Sequence, residues 1–116
     1  MPVIHTYAST PISAEQCEQL KSAYGRAITC VPGKSERWLM CVFDQEVPIY
    51  LGGSDAEPAA LVTVDVYARG TVARSAWEQM TTLICDELQA TLGISPERVY
   101  VKYGSTPDFG WNGMNF

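Results

Sequence analysis

At 116 residues, 47% hydrophobic and 18% charged, the chain is long enough for one packed core, too short for two, and too apolar for a disordered segment. A net charge of −5 and a pI near 4.7 argue against a broad phosphate-binding surface, so nucleic acid is not an expected partner. No run approaches the ~20 apolar residues of a membrane span, so no membrane insertion is expected; the N-terminus lacks the basic and apolar regions of a signal peptide, and the default location is the cytoplasm.

The chain opens Met1-Pro2 ahead of an apolar, strand-like run from Val3 to Ala8. Aminopeptidases remove an initiator Met that precedes a small residue, which would leave Pro2 as a free secondary amine. An ordinary α-amino group titrates near ~8, and each unit of depression corresponds to about 1.4 kcal/mol. Burial beside a cation supplies energy of that size. Pro2 is therefore a candidate general base at neutral pH.

Thr10 and Pro11 break the first strand, and Ser13 with Gln16 forms a capping box. The helix that follows carries Cys17, Leu20, Tyr24, Ala27, Ile28 and Val31 at helical spacing and ends at Pro32-Gly33. Trp38 to Phe43 reads as a second strand, and Val47 to Leu51 as a short one before the turn Gly52-Gly53-Ser54. Leu61 to Tyr67 is a β-branched strand. A second helix runs from Val72 to Leu92, Gly93 caps it, and Val99 to Tyr103 is the next strand.

The halves echo each other. One helix exits through Gly33 and Ser35-Glu36-Arg37 into a strand; the other exits through Gly93 and Ser95-Pro96-Glu97-Arg98 into a strand. The expected fold is α+β, a single domain over residues 1–116: two β-α-β repeats forming one sheet, with both helices on one face. The strand Trp38–Phe43 is apolar on both sides, which calls for cover on both. No chain remains to supply that cover, so an oligomer is expected.

In a right-handed β-α-β unit the first and second strands start at the same sheet edge, which brings Pro2 toward Lys34. Antiparallel central strands would add Asp65, Val66 and Tyr67 to that corner. A cation beside the amine disfavours its protonated form and can bind an anionic substrate. Taken singly, Lys34 also fits a solvated residue after a helix end. The tail Phe109-Gly110-Trp111-Asn112-Gly113-Met114-Asn115-Phe116 fits either a strand closing the sheet or an interface, or an aromatic wall for a planar substrate. Cys17, Cys30, Cys41 and Cys85 sit in apolar-periodic segments with no metal-like spacing, and read as reduced core residues.

Met1-Pro2, Gly33-Lys34, Gly52-Gly53-Ser54 with Glu57-Pro58, Ile94-Ser95-Pro96-Glu97-Arg98-Val99-Tyr100 and the ending Gly110-Trp111-Asn112-Gly113 through Phe116 span nearly the whole chain. In these features the sequence resembles the macrophage migration inhibitory factor family of the tautomerase superfamily. The resemblance implies a homotrimer with a pocket at each subunit interface. It also implies keto–enol tautomerase activity on small aromatic keto acids such as phenylpyruvate and dopachrome-type compounds, an isomerase without a cofactor or metal. By position it makes Pro2 the base, and Lys34 with the backbone near Tyr67 the carboxylate or carbonyl site. Tyr100 and Lys102 would come from the neighbouring subunit, and Trp38, Phe109, Trp111 and Phe116 would form the aromatic wall. The family's signalling role gives the alternative reading, a secreted cytokine-like mimic acting through a cell-surface receptor and exported without a signal peptide, its pocket vestigial or secondary.

The chain departs from the family pattern in four places, one of them a shorter loop before Phe109. A Cys-Ala-Leu-Cys segment reads Ala59-Ala60-Leu61-Val62, which removes the sulfur that thiol–disulfide chemistry needs. A common His-Ser-Ile reads Asp65-Val66-Tyr67, and an interface Asn reads Lys102. These changes keep the base and alter the charge and size of the pocket.

Overall fold

A computed structural model of the chain describes residues 1–116. The main elements are β1 (Pro2–Ala8), α1 (Ala14–Ala27), β2 (Met40–Asp44), β3 (Ala60–Tyr67), α2 (Arg74–Leu92) and β4 (Val99–Thr106), followed by β5 (Gly110–Trp111) and β6 (Met114–Asn115). One sheet runs in the order β2-β1-β3-β4. β1 pairs parallel with β2, β3 parallel with β4, and the two units join through antiparallel β1 and β3. The duplicated β-α-β plan is present, and a single 3-10 turn precedes the second strand of each unit, at Glu36–Trp38 and Pro96–Arg98.

The elements follow from local chemistry. Ser13 Oγ accepts from the Gln16 amide at 3.1 Å and Gln16 Oε1 accepts from the Ser13 amide at 2.9 Å, so the capping box starts α1 as expected. Gly93 ends α2 in the left-handed region at φ 69, where a residue without Cβ has no steric penalty. Alternation along β1 and β3 turns Ile4, Thr6, Ala8, Val62, Val64 and Val66 toward the helices. Against them pack Leu20, Tyr24 and Ile28 from the first helical segment, and Met80, Ile84 and Leu88 from α2. Each such apolar side chain contributes roughly 1.5–3 kcal/mol on full burial. The one polar pair in this core, Thr6 Oγ1 and Tyr24 Oη at 2.7 Å, satisfies itself, and burial pushes the Tyr24 phenol well above its ordinary range.

Several boundaries differ from the sequence reading. α1 stops at Ala27 and tightens into a 3-10 turn over Ile28–Cys30, so Ile28 and Val31 enter the core from outside the α-helix. Trp38 and Leu39 precede β2: Trp38 closes the 3-10 turn rather than opening a strand. Val47–Leu51 forms no strand, only an isolated Leu51–Ser54 bridge, because Pro48 has no amide to offer a ladder. α2 begins at Arg74, not Val72, and β4 continues to Thr106. The tail does not close the sheet. It folds as its own hairpin, β5 with β6, about the positive-φ pair Asn112-Gly113.

The four cysteines are free and half-buried at the core margin, and burial pushes the Cys41 thiol up to about 11. The other face of the sheet carries no helix. It presents Met40, Leu61 and Tyr100 beside the ion pair of His5 with Asp44 at 2.6 Å. No helix is long and apolar enough to cross a membrane.

Candidate active site

The site forms where β1 starts and β3 ends. Pro2 opens β1 opposite Val66, with its ring buried; a residue lacking an amide is tolerated at a strand start. Met1 lies above it, and its carbonyl accepts a 2.9 Å hydrogen bond from the Tyr67 amide. Lys34, on the loop leaving the first helical segment, donates from Nζ to the Tyr67 carbonyl at 2.5 Å and sits 5.5 Å from the centre of the Tyr67 ring. Burial, and after it the charge and hydrogen bonding of Lys34, hold the Met1 amine, which stands at this corner, below its ordinary value of 8.0. The corner therefore disfavours a protonated amine and gathers donors around it.

Aromatic side chains wall this corner. Met1, Trp38, Tyr67, Trp111 and Phe116 line a hollow of about 270 Å³. Trp38 meets Trp111 edge-on at 5.4 Å, Trp111 stacks on Phe116 at 6.3 Å, and Phe116 tilts against Tyr67 at 5.2 Å. A second hollow on the far side of Trp38 and Trp111 reaches Pro2 and takes in Phe109, whose carbonyl also accepts the Phe116 amide at 3.1 Å.

The hairpin β5–β6 thus places three of the wall residues, and the 3-10 turn places the fourth. That turn is seated by Gly25: a Cβ there would stand 1.9 Å from a carboxylate oxygen of Glu36. The glycine lets the Glu36 side chain lie against α1, two residues before Trp38.

Seven of the nine sequence-derived site residues converge here: Pro2, Lys34, Trp38, Tyr67, Phe109, Trp111 and Phe116. Tyr100 and Lys102 do not. They pair with Leu61 and Thr63, five and three positions along β3 from the Val66 that faces Pro2. At ~3.3 Å per residue that puts Tyr100 about 17 Å along the strands from the site. Both project from the helix-free face, exposed. Asp65 does not pair with Lys102; its carboxylate lies against Gly104, where a Cβ would stand 2.8 Å away.

Two contributors were not anticipated. Met1 covers the hollow, and Arg69 donates from Nε to the Tyr67 hydroxyl at 2.8 Å. No sequence signal marked Arg69, whose place depends on the Tyr67 hydroxyl.

No protein-family model and no curated protein sequence matches the chain. Solved structures do. MIF2 of Leishmania major is 38% identical with a TM-score of 0.91, over 100% of this chain and 97% of that one. A macrophage migration inhibitory factor homologue of Prochlorococcus marinus is 28% identical with a TM-score of 0.78, over 98% of each chain. Pt0534, solved as inactivated by 2-oxo-3-pentynoate, shares the fold at a TM-score of 0.80 and 19% identity, over 96% of this chain and 93% of its own.

Proposed function

Because the chain belongs to the macrophage migration inhibitory factor family, we propose that it is a cofactor-independent keto–enol tautomerase of arylpyruvate-type acids, with Pro2 as its base once Met1 is removed. The observation that carries this reading is the convergence at the N-terminus: a buried Pro2, a Lys34 ammonium, the Tyr67 amide and an aromatic hollow.

Loss of Met1 leaves the secondary amine of Pro2 free beside the hollow that Met1 lines. The same loss frees the Tyr67 amide that now bonds the Met1 carbonyl. An aryl 2-oxo acid then lays its ring against Trp38, Trp111 and Phe116, with its oxygens toward Lys34 and the Tyr67 amide. Pro2 takes a proton from the carbon next to the ketone, and the developing oxyanion is stabilised by those donors. The protonated proline returns the proton, to carbon or to oxygen, and the cycle closes without a redox step.

Three copies of the chain complete the pocket in this reading, each receiving Tyr100 and Lys102 from a neighbour. The support is that neither residue can reach its own Pro2, while both stand exposed on the uncovered face.

Enolisation of hydroxyphenylpyruvate by the Met1-processed protein tests the proposal. Turnover lost in a chain blocked at its N-terminus is the expected result; equal turnover by both overturns the Pro2 mechanism. A covalent readout is independent of turnover. In 2-oxo-3-pentynoate the alkyne is conjugated to the ketone, and a free secondary amine adds across it with no leaving group. One equivalent on the Pro2 peptide is expected by mass spectrometry.

A further inference from the structure

One tyrosine holds two cations, one at each end. Lys34 Nζ donates to the Tyr67 carbonyl at 2.5 Å and Arg69 Nε donates to the Tyr67 hydroxyl at 2.8 Å. A groove of about 440 Å³, bounded by Lys34, Tyr67, Arg69 and the turn leading to Ala73, shares Tyr67 with the aromatic hollow. No carboxylate lines it. Neither cation is in an ion pair, since the two ion pairs of the chain are His5 with Asp44 and Lys21 with Glu18. In a protein of net charge −5, two unneutralised cations facing a carboxylate-free groove create a local positive potential.

We propose that this groove is a second anion subsite of the pocket, taking the distal carboxylate of a dianionic 2-oxo acid whose first carboxylate is held at Lys34. For its substrate this inference rests on the isomerase reading; for its binding chemistry it does not. Lys34 holds the main-chain carbonyl of Tyr67 and Arg69 holds its hydroxyl, so the two cations stand at different points of one residue. They can each take one end of a short diacid. Arg69 is suited to the distal end because its planar fork matches a carboxylate with two parallel donors, and the bond from Nε to Tyr67 leaves the terminal nitrogens for the ligand. Lys34, a point charge already anchored on a carbonyl, suits the end nearer the reacting carbon.

Calorimetric titration with glutarate, and with butyrate as the monoanionic control, reads the subsite without turnover. The protein used is the full chain with Met1 removed. Glutarate should bind about three- to tenfold more tightly at low salt, the scale expected of one solvent-screened charge contact, and the gap should narrow as salt is added. Arg69→Gln should abolish the gap. Tyr67→Phe keeps the ring and the carbonyl but deletes the hydroxyl that holds Arg69, and should shrink the gap without abolishing it. Equal binding of the two acids, or a gap that survives Arg69→Gln, overturns the subsite. A gap lost instead in Lys102→Asn overturns it as well, by giving the second charge to Lys102. Hydroxyphenylpyruvate enolisation by the same preparation separates the two readings. Turnover without a gap sinks the subsite alone, and a gap without turnover sinks the isomerase alone.

Discussion

The Tyr67 amide donates to the Met1 carbonyl at 2.9 Å, while the Tyr67 carbonyl accepts from Lys34. Both backbone groups of one residue are thus aimed at the N-terminal corner, one occupied by the residue that processing would remove. A substrate oxygen in place of the Met1 carbonyl would inherit its hydrogen bond. Intact mass should show loss of Met1. A preparation that retains it should lose turnover by at least a hundredfold, the scale of removing a general base, because Pro2 is then an amide and its pocket is filled. Normal turnover with Met1 in place contradicts this.

Burial and Lys34 depress the Met1 amine at this corner, and the Pro2 amine freed beside the same lysine should shift in the same direction, so the pH–rate profile should carry an acid limb below the ordinary amine value. Activity rises with pH through that limb as the base loses its proton. Lys34→Ala should move the limb upward, because it removes the cation beside the base. The linked stability has the same sign. Between the depressed folded value and the unfolded one the folded chain binds fewer protons, so this contribution grows with pH and is lost as pH falls through the folded value. An acid limb unmoved by Lys34→Ala would show that Lys34 does not act on the base.

Thr6 and Tyr24, both fully buried, bond each other at 2.7 Å. Tyr24→Phe or Thr6→Val alone leaves a buried hydroxyl unpaired and should cost about 1–3 kcal/mol. The double variant should cost less than the sum. Denaturant unfolding of the four proteins measures the coupling, and strict additivity would mean that the pair is not coupled in the folded state.

Arg98 holds the long connection between β2 and β3. Its guanidinium donates to the carbonyls of Leu51, Ser54, Glu57 and Pro58 at 3.3, 3.0, 2.9 and 3.4 Å. Lysine keeps the charge but not the fork. Arg98→Lys should lower stability by about 1–2 kcal/mol and speed amide exchange in residues 45–59 well before the sheet opens. Unchanged exchange there would mean the loop is held by other contacts.

Pro2 and Lys102 should complement each other across subunits if the pocket is shared. A Pro2→Gly chain and a Lys102→Asn chain, each impaired alone, should regain arylpyruvate turnover when unfolded together and refolded as a mixture. Some mixed sites would then combine an intact Pro2 with an intact Lys102. A mixture no better than the average of its parts would place the two residues outside one site.

Much of this was legible in the sequence because it rests on local rules. Ser13-Gln16 capping, Gly93 at a helix end and the alternation of β3 are short-range signals, and the repeat gave the two β-α-β units while leaving their antiparallel joining as a condition. Pro2, Lys34 and Tyr67 then met by topology alone. The hairpin at Asn112-Gly113 was open to a second reading because its strands are only two residues each, too short for alternation to declare them. Trp38 was misplaced by two residues because an apolar run before a strand looks like the strand. Arg69 was missed because its role exists only through the Tyr67 hydroxyl, a contact no spacing rule contains.

The helix-free sheet has two outer strands of different sequence, β2 on one side and β4 on the other. A meeting of β2 in one copy with β4 in the next is head-to-tail, and head-to-tail contact either closes into a ring or grows into a filament. Which occurs is an angular matter, set by how far each sheet's twist turns the next copy. The residues that tune that rotation are the edge side chains, Met40 and Val42 against Tyr100 and Lys102. A substitution that changes that angle would turn a finite assembly into an endless one without touching the base.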